Sequence, residues 1–224
     1  MTADTKPALT VDIWSDVVCP WCYIGKARFD AAISAIDGEI DITVNYHAYQ
    51  LDPTASPGKT EPVRGVYECK FGGPEAAERI LGHVTSIAAE SGITFNMDIA
   101  QRANTMLAHR LIEWASREDT PSTQADVKHA LLAAYFTDGK NVGDPDDLAE
   151  VLEPLGFARH ETLAFLDSSD ATEDVANDLN TAAQLGITAV PTYVINGQWS
   201  IPGAQDAETF ERALRRLAER TQQQ

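Results

Sequence analysis

Between residues 9 and 26 the chain reads Leu9-Thr-Val-Asp-Ile-Trp-Ser-Asp-Val-Val-Cys-Pro-Trp-Cys-Tyr-Ile-Gly-Lys26. Apolar residues alternate with polar ones at its start, which is the pattern of a half-buried β-strand. After the second cysteine the apolar side chains Phe29, Ile33 and Ile36 recur at the spacing of one helix face. The sequence therefore predicts a strand that delivers two cysteines to the start of a helix, with Cys22 on the buried face.

The rest of the chain divides at its turn signals. Asp37-Gly38 ends the first helix, and residues 40–51 return as a second strand. After Pro62 the pattern is helical, and helices are predicted at 75–91, 103–117, 123–137, 145–155, 159–167 and 170–185. Strand character resumes at 187–195, and Asn196-Gly197 is typical of a tight hairpin turn into a short strand before the last helix.

This order of elements predicts an α/β protein, a thioredoxin fold with a large inserted all-helical domain. The predicted parts are residues 1–53, which carry the cysteines, a helical insertion at 54–169, and residues 170–224, which return to the thioredoxin-like part.

The composition limits the choice of partners. With 34 acidic and 17 basic side chains the formal charge is -17, a sign that disfavours binding to nucleic acid and to anionic membranes. No stretch approaches the roughly 20 apolar residues that would span a bilayer. The start, Met1-Thr-Ala-Asp-Thr-Lys-Pro-Ala8, has neither the basic nor the apolar region of a signal peptide, so a cytoplasmic location is expected.

Only three cysteines occur, Cys19, Cys22 and Cys69. A close pair in a chain without an export signal is usually a metal half-site or a redox pair. A closed zinc site needs four ligands, and neither a second CxxC nor a suitably spaced histidine pair is present, so no metal is expected. Cys69 is interpreted as a lone free thiol.

Two segments carry a family resemblance, Ser15 to Lys26 and Val190-Pro-Thr-Tyr-Val-Ile-Asn-Gly197. They resemble the signature segments of the DsbA-like thiol-disulfide oxidoreductases, and within these the FrnE-like cytoplasmic branch. The resemblance implies a protein disulfide oxidoreductase or isomerase. It also implies that the Val190-Pro191 peptide is cis, lies beside the cysteines and pairs with an extended substrate.

The cysteine spacing suits disulfide exchange. Cys19 at a helix start is placed where unpaired N-H groups and the helix dipole favour a thiolate, and Cys22 on the apolar face is the expected resolving partner. Pro20 suits the first helical turn. Pro20 and Trp21 are expected to tune the reduction potential. Because DsbA has histidine where Trp21 stands, the pair is expected to be less oxidising than that of DsbA and to act as a reductase or isomerase.

Three further residues have two readings each, and a fourth, His109, has one. Asp16 is either a proton acceptor near the thiols or a turn cap, and Lys26 either stabilises a thiolate or is a surface lysine. Asn104 is placed in the middle of an apolar helix face, as a core amide or as a group pointing into the substrate cleft. His109, at the edge of the same face, is the weaker candidate for substrate binding.

Three functional classes remain open from the sequence. The preferred one needs no metal or organic cofactor and acts on disulfide-containing proteins or small-molecule disulfides, with a cellular reductant or a low-molecular-weight thiol resetting the pair. The second is an enzyme like the kappa-class glutathione transferases or 2-hydroxychromene-2-carboxylate isomerases, which use a bound thiol cofactor. The third is a binding module with inert thiols. A homodimer is expected only as a habit of the family.

Overall fold

The computed structural model describes residues 6–223. The first five residues, on which the expected cytoplasmic location largely depends, and Gln224 at the end of the predicted third part lie outside the described residues. Among the helices of the described part, none combines the length and the apolar character that crossing a bilayer requires.

The fold is built on a four-stranded sheet with the order β2-β1-β5-β6. The strands are β1 (Ala8–Ser15), β2 (Asp41–Ala48), β5 (Thr192–Ile195) and β6 (Trp199–Pro202). β1 is parallel to β2 and antiparallel to β5, so the strand that leads into the cysteines is central. Its residues Leu9, Val11 and Ile13 are buried, as the alternation predicts. β2 ends at Ala48, three residues before the predicted end.

The helices are α1 (Pro20–Ala35), α2 (Val63–Phe71), α3 (Pro74–Glu90), α4 (Met106–Trp114), α5 (Gln124–Phe136), α6 (Pro145–Leu152), α7 (Arg159–Asp167), α8 (Thr172–Gln184) and α9 (Ala207–Gln222). α6 continues into a 3-10 turn, Glu153–Leu155, and a two-stranded ribbon pairs β3 (Glu61–Pro62) with β4 (Gln101–Arg102). The α/β fold with its helical insertion is confirmed.

Two helices differ from the predicted elements. α2 was not predicted, because it has only 9 residues and Val63 is its one buried residue. The helix predicted at 103–117 is shorter in the structure, where α4 begins at Met106 and ends at Trp114. The exact division of the chain at 53/54 and 169/170 stays a prediction.

α1 lies unusually close to the start of β5. A Cβ atom built on Gly25 would lie 2.8 Å from the Tyr193 hydroxyl and 3.0 Å from the Pro191 ring. The ring centroid of Phe29, one turn further on, lies 5.1 Å from that of Tyr193 and 5.2 Å from that of Phe210 on α9. The glycine therefore lets the helix that carries the cysteines pack directly on the proline.

One continuous apolar core joins the sheet to the insertion. Buried residues of β1 and α1 belong to the same cluster as Leu111 of α4, Leu131 of α5 and Leu148 of α6. The insertion is thus packed on the sheet, and its helices reach the region of the cysteines.

Candidate active site at the start of helix α1

The two cysteines lie on the first turn of α1. Cys19 is the N-cap residue in extended conformation, Pro20 is the first helical residue, and the Cys22 N-H donates to the Cys19 carbonyl oxygen at 3.0 Å. Both are free thiols and both are buried, with 3% and 2% of their surface exposed. The sequence placed both residues correctly on the strand-helix junction.

The proline segment faces Cys19. The Val190-Pro191 peptide is cis, as the resemblance implied, and the Cys19 Sγ lies 3.5 Å from the Val190 carbonyl oxygen. The Pro191 carbonyl oxygen accepts a hydrogen bond from the Gly203 N-H at 2.8 Å, which ties this peptide to the segment after β6. The chain thereby holds Val190 against the sulfur of Cys19.

A groove of about 520 Å³ opens at this point. Cys19 forms part of its wall, whereas Cys22 lies behind it on the buried face of α1. Trp21 is 37% exposed and lines the groove together with apolar side chains of the insertion. The other lining residues are Pro20, Leu51, Tyr67, Phe71, Arg79, Ile80, His83, Val84, Thr188, Ala189 and Val190.

The two thiols titrate as a hydrogen-bonded pair. The hydrogen bond to Cys22, together with burial, raises the pKa of the Cys19 thiol well above its ordinary value. Burial also opposes ionisation of Cys22, but the hydrogen bond from Cys19 and the positive charge of Lys128 outweigh it, so the pKa of Cys22 is lowered. Burial and the contact between the two sulfurs therefore couple the ionisation of one thiol to that of the other.

The raised pKa of Cys19 differs from the expectation that the helix start lowers it. The Cys19 thiol donates to the Val190 carbonyl oxygen at 3.5 Å. Because only the protonated thiol can donate, this contact and burial both favour the protonated form of Cys19.

Lys128 is the residue near the thiols that the sequence analysis missed. It lies on α5, is 1% exposed, and has its pKa lowered to about 8 by burial. Lysines are rarely buried, so a helical lysine is normally read as a surface residue. The sequence signal for its burial was its position three and four residues before Leu131 and Leu132, on the same apolar helix face.

Asp16 organises the loop before the cysteines. Its Oδ1 accepts a hydrogen bond from the Val17 N-H at 2.8 Å, and its Oδ2 accepts one from the Leu51 N-H at 2.8 Å. The carboxylate is fully buried. It therefore joins the loop that carries Cys19 to the segment after β2. These backbone hydrogen bonds agree with the interpretation of Asp16 as a turn cap.

His109 completes this arrangement from the insertion. Its Nε2 lies 3.1 Å from the Asp16 Oδ1 and 3.1 Å from the Tyr49 carbonyl oxygen. Because a carbonyl oxygen only accepts, Nε2 carries a proton and donates. His109 is 3% exposed and lies beneath the loop instead of in the groove, where its predicted substrate-binding role would place it.

Asn104 and Lys26 also lie differently from expectation. Asn104 precedes α4, so its predicted place in the middle of a helix face is wrong. Its side chain accepts from the Met106 N-H at 3.0 Å and donates to the Ala55 carbonyl oxygen at 2.8 Å. The Lys26 ammonium is 2.7 Å from Asp30, and only 7% of the residue is exposed, so it is not the surface lysine of its second reading.

The third cysteine differs from the buried pair. Cys69 is exposed on α2 and is a free thiol. In residues 6–223, no group of three or more histidine, cysteine or acidic side chains is arranged to hold a metal ion.

The fold, the paired cysteines and the cis proline define a DsbA-like protein. Residues 10–215 match the family described as DSBA-like thioredoxin domain, and the chain belongs to this family. A structure described as a probable DsbA oxidoreductase from Streptomyces coelicolor is 30% identical, with 92% of this chain and 88% of that chain covered and a TM-score of 0.83.

Two more distant structures share the fold. The cytosolic disulfide reductase DsbM from Pseudomonas aeruginosa with GSH is 18% identical, with coverages of 94% and 99% and a TM-score of 0.66. A 2-hydroxychromene-2-carboxylate isomerase is 19% identical, with coverages of 96% and 98% and a TM-score of 0.69. At these identities the two likenesses show the fold.

Proposed function

We propose that this chain is a thiol-disulfide oxidoreductase or isomerase that works through Cys19-Pro-Trp-Cys22. The observation that carries the proposal is the different placement of the two sulfurs. Cys19 forms part of the groove wall and lies 3.5 Å from the Val190 carbonyl oxygen, whereas Cys22 is buried behind it. This difference supports Cys19 as the attacking sulfur and Cys22 as the resolving one.

The reaction consists of two exchanges. The Cys19 thiolate attacks one sulfur of the substrate disulfide, the substrate S-S bond breaks, and the first substrate thiolate leaves with the electron pair. The Cys22 thiolate then attacks the Cys19 sulfur, and the second substrate thiolate leaves. The protein pair is oxidised to a disulfide and the substrate is reduced by two electrons. A cellular dithiol or low-molecular-weight thiol returns the pair to its reduced form.

The groove fits disulfides that are flanked by apolar groups. Trp21, Leu51, Phe71 and Ile80 are large apolar residues with more than a third of their surface exposed, and all four line it. An extended polypeptide beside Val190 would pair with its backbone, which favours protein disulfides, while the volume also admits small ones. We propose the cytoplasm as the location, where such a pair rests as the dithiol.

A second candidate is a transferase or isomerase that uses a bound thiol cofactor. The fold shared with 2-hydroxychromene-2-carboxylate isomerase favours it, as does a groove of about 520 Å³ beside residue 19. The presence of two cysteines on one helical turn favours dithiol chemistry.

Reduction of a protein disulfide by the purified chain tests the proposal. Cys19→Ser is expected to abolish turnover, while Cys22→Ser is expected to accumulate a mixed disulfide that mass spectrometry detects on Cys19. Cys69→Ser is the matched control and should keep the parent rate, because Cys69 is exposed on α2. Full activity in Cys19→Ser would contradict the mechanism, and activity that requires added glutathione without formation of a Cys19-Cys22 disulfide would favour the second candidate.

A further inference from the structure

The groove beside Cys19 differs in charge from the rest of the chain. The sequence carries 34 acidic and 17 basic side chains. Among the described residues that line the groove, however, none is acidic, whereas Arg79 and His83 are basic. Both are exposed residues of α3. A substrate in the groove therefore meets a positively charged wall on a protein whose net charge is negative.

The basic residues form a row along α3. Residues four apart on a helix lie one above the other, with Cβ atoms roughly 5–6 Å apart. Arg79 and His83 have this spacing, as do the apolar residues Ile80 and Val84 beside them. All four line the groove. The helix thus presents a polar row next to an apolar row, on the wall of the groove that Cys19 also lines.

The cations of this row have no acidic partner in the part of the chain that the structure describes. Arg64 of α2, by contrast, is paired with both Glu78 and Asp98. Glu78 directly precedes Arg79 in the sequence, and its carboxylate is therefore taken up by a different arginine. The charge of Arg79 stays available to a ligand in the groove.

A smaller cavity of about 120 Å³ adjoins the groove, since three residues, Phe71 among them, line both. Of its described lining residues only Asp52 is acidic, and the Arg102 Nε donates a hydrogen bond to this carboxylate at 2.6 Å. Lys70 lines the same cavity, and its ammonium lies 5.6 Å from the centroid of the Phe71 ring. The adjoining cavity therefore adds a further cation to the surroundings of the groove.

The shape of the groove favours an extended polypeptide as the anionic ligand. Part of its wall is the segment Thr188, Ala189 and Val190, beside which an extended chain can lie. Along such a chain, side chains on the same side are separated by roughly 6–7 Å. The cations are distributed over α2 and α3, so a chain with several acidic side chains meets more of them than a small disulfide does.

We propose that the groove selects polypeptide disulfides whose cysteine is flanked by acidic side chains, and that Arg79 and His83 bind the carboxylates. The inference rests on the proposed function and specifies its substrate class. The planar guanidinium of Arg79 can bind a carboxylate through two parallel hydrogen bonds. His83 can donate from a ring N-H whether it is neutral or charged. Both residues act on the choice of substrate and leave the exchange itself to the two cysteines.

Three peptide disulfides that differ only in charge test the proposal. Each is the symmetrical disulfide of acetyl-Ala-Xaa-Cys-Xaa-Ala-amide, in which Xaa is Glu, Gln or Lys. The reduced chain in a Cys69→Ser background is mixed with each peptide, and mass spectrometry of acid-quenched samples gives the rate constant of thiol release. Dividing this rate constant by that of dithiothreitol with the same peptide removes the intrinsic effect of peptide charge. The corrected rate constant should be roughly tenfold higher for the Glu peptide than for the Lys peptide, and added salt should reduce this ratio.

Variants assign the preference to the two residues. The double variant Arg79→Gln, His83→Gln should lower the corrected rate constant for the Glu peptide about fivefold and change that for the Gln peptide less than about twofold. Arg79→Lys retains the charge and should keep more of the preference than Arg79→Gln does. Arg216→Gln is the matched control, because Arg216 is exposed on α9 and does not line the groove. Circular dichroism verifies that each variant is folded.

The outcomes separate this inference from the proposed function. If the parent reduces none of the three peptides, the proposed function and the inference both fail. If it reduces all three at the same corrected rate, or if the folded double variant keeps the parent preference, only the inference fails. Oxidised glutathione, a small disulfide that carries carboxylates, tests the size of the ligand. A double variant that is slower with oxidised glutathione but not with the Glu peptide would refute a polypeptide as the occupant.

Discussion

The Nε2 of His109 donates a hydrogen bond to the Oδ1 of Asp16 at 3.1 Å, and this contact joins the helical insertion to the loop that carries Cys19. Both side chains are buried. The position of the cysteine loop thus depends on a residue about ninety positions later in the chain. Sequence periodicity alone does not reveal such a contact.

Replacement of His109 should destabilise the fold. His109→Leu removes a donor from the buried Asp16 carboxylate and is expected to lower the free energy of unfolding by about 1–3 kcal/mol. Urea unfolding measures the change. His160→Leu is the control, because His160 is exposed on α7 and should change the stability little. Equal stability of the two variants would contradict a structural role for the Asp16 contact.

A methyl group at residue 25 should separate α1 from the proline. In Gly25→Ala the new Cβ would approach the Tyr193 hydroxyl to 2.8 Å, which is expected to cost about 1–3 kcal/mol of stability and to reduce activity. Gly82→Ala on α3 is the matched control, since nothing lies within 4 Å of a Cβ there, and it should stabilise the helix by about 0.5–1 kcal/mol. Thermal unfolding compares the two, and a Gly25→Ala protein as stable as Gly82→Ala would refute the close packing.

The ion pairs of His47 predict a pH-dependent stability. Burial alone would lower its pKa, but hydrogen bonds to Asp178 at 2.7 Å and to Asp12 at 3.2 Å outweigh it, so the pKa is raised. Because this pKa is raised, the stability that the two His47 ion pairs contribute is fully present below the pKa of His47 in the unfolded chain, about 6.5. It is lost as the pH rises through the higher pKa of His47 in the folded protein. The stability difference between the parent and His47→Gln should therefore be larger at pH 6 than at pH 9 in urea unfolding. A difference that grows with pH would contradict the assignment.

Trp21 offers a test of redox tuning. Trp21→His places a side chain that can be cationic between the cysteines, which should stabilise the thiolate and make the pair more oxidising by about 30 mV, a tenfold change in the exchange equilibrium. Titration against a graded thiol-disulfide buffer measures the potential. Trp21→Phe keeps an uncharged aromatic ring and should stay near the parent value. A shift of the same size in both variants would assign the effect to groove packing instead of charge.

The fold was predictable where local patterns are strong. The alternation in β1, the helical face after Cys22 and the Asn196-Gly197 turn each indicate their element without tertiary information. α2 escaped prediction because it is short, with 9 residues, and buries only Val63. The shorter α4 places Asn104 in the preceding turn, and helix ends are set by contacts that periodicity does not contain.

The site was predictable in the placement of its main residues and less so in its electrostatics. The spacing of Cys19 and Cys22 indicates a close pair at a helix start, and the family resemblance implied the cis geometry of Pro191. The burial of Lys128 and the pairing of Asp16 with His109 depend on how α4 and α5 pack against α1 and β2, which are distant in sequence. The hydrogen bond of the Cys19 thiol depends likewise on the folded position of Val190.

The walls of the groove come from two parts of the chain. Cys19 and Val190 belong to the thioredoxin-like part, whereas Phe71 and Ile80 belong to α2 and α3 of the insertion. Under the proposed function, substitutions in one segment of the gene would alter substrate preference and leave the two sulfurs, encoded in another segment, untouched. Exchange of residues 63–90 between homologues offers a route to redesign selectivity without rebuilding the redox centre.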